Sequence, residues 1–249
     1  MNIGMVVVTM DKNSIKIKLI HGKFEDIPKS KIGKIDLIIA DIPDNLNQKY
    51  PDYKDNIPDF EYETNINIWL EKMSTLTNGP VFLLFNERWT REVENAVHNT
   101  GIKLIQRLLW HYNFGMDQSI HEKYSLCYRP IMWLNSPFII PENIKIASDR
   151  QIKYNDSRAA SDGKIPQNVW EFPRICGNFK EKRKWFPNQI NQKLIERIIL
   201  GHCPENGTVL DICFGSGTSA FAAIATNRNF IGIDISTTCI QKLSENLNL

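Results

Sequence analysis

Late in the chain, Asp211 to Asp234 reads DICFGSGTSAFAAIATNRNFIGID, and few segments restrict a fold more. Val209 to Asp211 is an apolar run closing on a carboxylate. Gly215 and Gly217 follow, Thr218 to Thr226 suits a buried helix, and Phe230 to Asp234 is a second apolar run closing on a carboxylate. This predicts a βαβ unit. Its glycines let backbone approach a ligand, and its helix N-terminus offers free N–H groups. A carboxylate about 20 residues on, at the tip of the next strand, suits the two hydroxyls of a ribose. Gly215, Gly217 and Ala220 also satisfy the dinucleotide pattern G-x-G-x-x-A. Only residues 235–249 follow Asp234, too few for the rest of a dinucleotide fold. The remaining strands are therefore expected from the preceding chain, in circularly permuted order.

The rest of the sequence supplies them. Ile15 to Ile20 alternates at period two, and Ile35 to Ala40 and Val81 to Phe85 are runs of the fully buried type. Lys103 to Trp110 and Ser125 to Leu134 read as further strands. Phe60 to Thr77 carries Ile66, Trp69, Leu70 and Met73 on one helical stripe; Thr90 to Asn99, Asn188 to His202 and the stretch from Ser236 onward are also helical in pattern. Strands alternating with helices predict an α/β fold with a mostly parallel sheet. Asn135 to Trp185 is rich in Pro, Asn, Asp and Gly and weakly periodic, so it reads as a loop-rich insertion in a single domain spanning 1–249.

Two segments together are specific enough to carry a resemblance. DICFGSGT resembles the cofactor loop D-P-F-x-G-S-G-T of the DNA amino-methyltransferases of the N4-cytosine/N6-adenine type, with Ile212 in place of Pro and Cys213 before Phe214. NRNFIGIDIS is similar to that family's second cofactor strand. WFPNQ, from Trp185 to Gln189, resembles its W-H-P-T-Q turn, departing at Phe186 and Asn188. The resemblance implies a Rossmann-like S-adenosylmethionine-dependent fold of seven strands, one antiparallel, in the permuted (beta-type) order. A catalytic half (1–134) comes first, a target-recognition insert (135–185) next and a cofactor half (186–249) last. It implies cofactor contacts at Asp211, Cys213, Phe214, Gly215, Ser216, Gly217, Thr218, Asp234, Pro187 and Gln189. After His21-Gly22, where family members often carry an Asp for the adenine amine, stands Lys23, with Glu25 or Asp26 as substitutes.

The family's catalytic D/S/N-P-P-aromatic tetrapeptide maps onto Asp41, Ile42, Pro43 and Asp44. The exocyclic amine of a base is a poor nucleophile because its lone pair is conjugated into the ring. Acceptors at the Asp41 carboxylate and the Ile42 carbonyl favour the tetrahedral nitrogen of the transition state, Pro43 fixes the turn, and positioning supplies the rate. Asp44 stands where the family has a ring that stacks on a flipped base. Tyr50 and Tyr53 are the nearest rings to take over, and loss of catalysis in a DNA-binding or partner-activating subunit is the competing reading. Asp at the first position resembles the adenine-N6 enzymes; cytosine-N4 remains the alternative, as do RNA or small-molecule targets on the same scaffold.

The chain has 30 basic and 28 acidic residues, so attraction to DNA must be local. Between Lys145 and Lys184 lie ten Lys or Arg and five Asp or Glu, interleaved with Tyr154, Trp170, Phe172 and Phe179. Lys180, Lys182, Arg183 and Lys184 are the densest cluster. His111, Asn113, His121 and Arg129 read as structural. Five cysteines without C-x-x-C spacing read as reduced thiols, with no metal site. No run is long enough for a membrane span and no signal peptide is recognisable, so a cytoplasmic protein is expected, with DNA as partner and a homodimer left open.

Overall fold

The computed structural model describes residues 7–12, 15–112 and 124–248. Asn113 and His121 lie outside the described residues. The elements in chain order are β1 (Val7–Lys12), β2 (Ile15–His21), α1 (Lys29–Ile32), β3 (Leu37–Asp41), β4 (Lys49–Tyr50), β5 (Tyr53–Lys54), α2 (Asp59–Leu76), β6 (Val81–Leu84), α3 (Thr90–Thr100), β7 (Leu104–His111), β8 (Tyr128–Leu134), α4 (Asp149–Ile152), β9 (Val169–Glu171), α5 (Gln192–His202), β10 (Thr208–Asp211), α6 (Thr218–Ala225), β11 (Asn229–Asp234) and α7 (Thr237–Leu247).

The strand order of the main sheet is β1-β2-β11-β10-β3-β6-β8-β7-β9. From β2 to β6 the strands run parallel. β8 runs against both its neighbours, β6 and β7. The seven strands from β2 to β7 are those expected, with β8 as the one reversed strand. Two edge strands bring the total to nine: β1 pairs antiparallel with β2, and β9 pairs parallel with β7. β9 escapes a reading by periodicity because three residues in a polar, proline-rich stretch leave no period to detect. β10 and β11 sit between β2 and β3, so the last strands of the chain fill the middle of a sheet begun by the first.

Alternation within the central strands builds two cores. Leu37 and Ile39 of β3 join Leu194 and Ile198 of α5, Ala222 of α6 and Leu243 of α7 on one face. Ile38 and Ala40 join Ile66, Leu70 and Met73 of α2 and Val93 of α3 on the other. Each fully buried Leu, Ile, Val or Met among them contributes about 1.5–3 kcal/mol. α5 starts at Gln192 rather than Asn188 because Asn191 caps it, its side chain accepting the N–H groups of Lys193 and Leu194 at 2.9 and 3.4 Å. Gly101, at φ 68°, ends α3 in the left-handed region. No helix among the described residues is long and apolar enough to cross a membrane.

Candidate active site

Parallel pairing in register brings the tips of β3, β10 and β11 to one edge of the sheet. The turn after β10 carries positive φ at Gly215 and Gly217, 48° and 78°. It is fastened to the next strand by the Gly215 N–H, which donates to Asp234 Oδ2 at 2.7 Å, while the Ser236 N–H donates to Asp234 Oδ1 at 2.8 Å. Each carboxylate oxygen keeps a second lone pair for an outside donor. Asp211 accepts the Cys213 N–H at 3.1 Å and the Ser219 hydroxyl. Burial pushes the Asp211 carboxyl up to about 7 and that of Asp234 up to about 6.

At the tip of β3 the tetrapeptide is pinned along its backbone. The Ile42 N–H donates to the Leu84 carbonyl at 3.1 Å, the Tyr62 hydroxyl donates to the Pro43 carbonyl, and Trp89 Nε1 donates to the Asp44 carbonyl at 2.7 Å. Asp41 and Asp44 both meet Arg129 of β8. Arg129 Nε donates to Asp41 Oδ1 at 2.9 Å, and one terminal nitrogen lies 2.6 Å from that oxygen and 2.8 Å from Asp44 Oδ1. Burial pushes Asp41 up to about 6 against the pull of the guanidinium. Burial also works against the Arg129 charge, but the two carboxylates outweigh it and hold the group above its ordinary value.

A cleft of about 220 Å³ joins the two tips. Asp41, Ile42 and Pro43 line it together with Asp211, Cys213, Phe214, Gly215, Ser216, Thr218 and Asp234. A smaller depression, about 50 Å³, lies on the other side of Asp41 and is lined by Asp44, Trp110, Tyr112, Tyr128, Arg129 and Arg174. Asp41 lines both.

Several expected residues are placed differently. Gly217 turns toward α7, where an added Cβ would lie 2.6 Å from Leu243, and does not line the cleft. Gln189 is engaged within its own loop, accepting the Arg183 N–H and donating to the Glu181 carbonyl, both at 2.7 Å. Pro187 gives its carbonyl to Lys182. Phe186 and Asn188, the two departures from the family turn, line the cleft instead. Tyr50 and Tyr53 also line the cleft; Tyr50 sits beside the Asp41–Asp44 pair, its hydroxyl accepting at 3.1 Å from the Asn188 side chain, which also reaches Asp44 Oδ2 at 3.4 Å. Lys182 donates inward to the Phe186 and Pro187 carbonyls at 2.9 and 2.8 Å, and Arg183 stacks on Phe221 at 4.5 Å. Of the basic cluster, Lys180 and Lys184 face solvent. Glu25 rather than Asp26 lines the cleft, its carboxylate accepting from Trp69 Nε1 at 3.1 Å. Arg129 carries no signal in the sequence because a lone arginine in a strand has no motif around it; its partners lie 88 and 85 residues away along the chain.

The lining suits S-adenosylmethionine. Glu25, Asp41, Glu61, Asp211 and Asp234 face Lys23 alone among the described basic residues, an acidic wall complementary to a sulfonium and an ammonium and repellent to a pyrophosphate. Asp234 and Glu25 offer carboxylates along the cleft that could hold a ribose and an amine, and Ser216 and Thr218 offer hydroxyls at the start of α6 that could hold a carboxylate. Among the described residues no group of His, Cys, Asp or Glu is arranged to hold a metal ion.

Known proteins resemble this chain along most of its length. The chain is 30% identical over 224 residues to the type II methyltransferase M.HpaI of Haemophilus parainfluenzae, covering 87% of this chain and 69% of that protein. It is 26% identical over 245 residues to the DNA adenine methyltransferase YhdJ of Escherichia coli, covering 90% and 80%. The crystal structure of the M1.HpyAVI–SAM complex shares its fold, with a TM-score of 0.66 at 23% identity, over 94% of this chain and 100% of that one. A family model for DNA methylases of the N6/N4 type matches residues 35–245. The chain therefore belongs to the DNA methylase family of S-adenosylmethionine-dependent N6-adenine and N4-cytosine methyltransferases.

Proposed function

We propose that the protein methylates N6 of adenine at a defined DNA sequence, with Asp41 as the acceptor for the target amine. The observation that carries this is the position of Asp41, which is shared by the cofactor cleft and the aromatic-walled depression behind it. A base seated in the depression presents its amine to Asp41, at the junction with the cleft that the Ile42 carbonyl borders and whose Asp211, Ser216, Thr218 and Asp234 would hold the methyl donor. Bound S-adenosylmethionine supplies an electrophilic methyl group on a sulfonium sulfur. Asp41 accepts an amine N–H, draws the nitrogen lone pair out of conjugation, and takes the proton released as the N–C bond forms and the C–S bond breaks. The ring absent at position 44 is replaced by Trp110, Tyr112 and Tyr128, whose stacking is worth about 1–3 kcal/mol per base. Adenine is favoured by the carboxylate at the first position and by the likeness to the YhdJ protein.

We read the order of the strands as the permuted arrangement, and residues 135–185 as the recognition segment in a cytoplasmic enzyme. The segment's end is stitched beside the depression through Trp110 Nε1, which donates to the Phe172 carbonyl at 2.8 Å. Incubation with methyl-labelled cofactor and DNA, followed by digestion to nucleosides, tests the whole reading. N6-methyladenine is the expected product. N4-methylcytosine reassigns the base, and cofactor binding without transfer to any DNA identifies a non-catalytic subunit.

A further inference from the structure

We propose that Arg129 is the positioning residue of the transfer site: one guanidinium holds Asp41 and Asp44 in a single cluster and presents Asp41 to the target amine as an oriented acceptor. This rests on the role given to Asp41 above. Two of the guanidinium nitrogens reach the same Asp41 oxygen, Oδ1, at 2.9 and 2.6 Å. That fixes the plane of the carboxylate and leaves Oδ2 outside the guanidinium contact. The same terminal nitrogen lies 2.8 Å from Asp44 Oδ1 and 3.5 Å from the Ile42 carbonyl, so both proposed amine acceptors and the fourth residue are organised by one side chain.

Charge balance makes the arrangement necessary. Asp41 and Asp44 are two carboxylates with little solvent, and the guanidinium neutralises one of the two charges. Without it, like charges at this distance force one carboxyl to keep its proton, and a protonated Asp41 loses acceptor capacity. The cation and the fourth-position carboxylate therefore form a matched pair. Asp44 gives the buried guanidinium a second anchor, which an aromatic ring would not. The other groups facing the cluster are neutral or acidic: Tyr50 before the β4–β5 turn, Tyr62 of α2, Asp55, and Cys213 and Asp211 of the β10 turn. Tyr112 and Arg174 stand across the depression. Arg129 is the cation in direct contact with either carboxylate among the described residues.

The test compares Arg129→Met, Arg129→Lys, Asp44→Asn and the double variant Arg129→Met/Asp44→Asn. Readouts are cofactor affinity by calorimetry, kcat and KM for DNA across pH, and the Asp41 carboxyl titration by carbon NMR, which needs no substrate. Arg129→Met is expected to bind cofactor within about two-fold of the unmodified protein, to lose about 10²-fold in kcat at neutral pH, and to move the acid limb upward by about one pH unit. Asp44→Asn, which keeps the guanidinium, is expected to move the limb downward. The double variant is expected to recover about ten-fold of the lost kcat, and Arg129→Lys to fall between. An Asp41 titration that ignores all four changes, or a double variant no better than Arg129→Met, overturns the proposal. Should Arg129→Met not fold, the direction of the Asp44→Asn shift decides it alone. Should no DNA be methylated by the unmodified protein, the activity reading fails while the NMR titration still judges the cluster.

Discussion

The amide of Gly215 donates to the carboxylate of Asp234 at 2.7 Å, across the sheet edge from β10 to β11. One side chain thus closes the glycine turn and lines the cleft, and in the proposed reading it is this carboxylate that meets the ribose. Asp234→Asn removes the charge and turns an NH2 group toward one of the two backbone N–H groups that the carboxylate accepts. Cofactor affinity is expected to fall about 10–100-fold, read by titration calorimetry, and the thermal midpoint to drop by about 2–8 °C as one buried N–H loses its partner. An affinity within about two-fold of the original would falsify the ribose assignment.

Gly215→Ala tests the cradle itself. A Cβ there would lie 2.4 Å from the Phe186 ring, and φ at this residue is 48°. The left-handed backbone alone costs about 1–3 kcal/mol in a non-glycine residue, and in a chain of this length each kcal/mol lowers the melting midpoint by about 2–4 °C. Adding Phe186→Leu should return the part of the loss due to the clash and leave the backbone part. Identical melting curves for Gly215→Ala and the unmodified protein would contradict the turn geometry.

Stability should depend on pH in a definite direction. Asp41, Asp211 and Asp234 are buried and titrate at about 6, 7 and 6 instead of 3.8. Between the ordinary carboxylate value and these raised ones, the folded chain binds more protons than the unfolded chain. The contribution of these three carboxyls is therefore greatest on the acid side and declines as pH climbs from about 4 to 7; His202, which burial pushes down to about 4, opposes it with a single group of the other sign. The cofactor-free protein is expected to melt higher near about pH 5 than near about pH 8, and Asp211→Asn to flatten the slope. A midpoint rising with pH over that window would be the opposite sign.

The basic cluster divides by orientation. Lys180 and Lys184 are exposed, whereas Lys182 is tied to two carbonyls of the 186–187 turn. Replacing Lys180 or Lys184 with Ala should reduce the salt dependence of DNA binding by about one unit of log–log slope for each phosphate that is no longer neutralised. Lys182→Met should leave that slope alone and loosen the turn, seen as faster amide exchange around residues 186–187. Equal slopes for all three variants would remove the distinction.

These cases also mark what the chain's letters disclose. The cofactor half is legible because glycine turns and strand-end carboxylates are local: Gly215, Asp211 and Asp234 fall within 24 consecutive residues. The parallel core is legible because buried strands such as Leu37–Asp41 and Val81–Leu84 are continuous apolar runs. Arg129 is not, since its meaning depends on β8 lying one strand beyond β6 and on the side chain crossing to β3. Nor is the inward turn of Lys182 and Arg183, because composition counts charges without saying which way they point. Phe186 and Asn188 stand out in the sequence only as departures from a pattern, yet they are the residues of that turn that reach the cleft.

The placement of β10 and β11 between β2 and β3 has a consequence for biogenesis. The pairing of β3 with β10 joins residues 37–39 to residues 209–211, so the middle of the sheet cannot zip until the chain through residue 211 has left the ribosome. Until then β2 and β3 each present a bare edge, the state in which strands recruit unwanted neighbours. A nascent chain of this topology keeps two unpaired strand edges over about 170 residues of synthesis, the interval in which shielding by a chaperone acts.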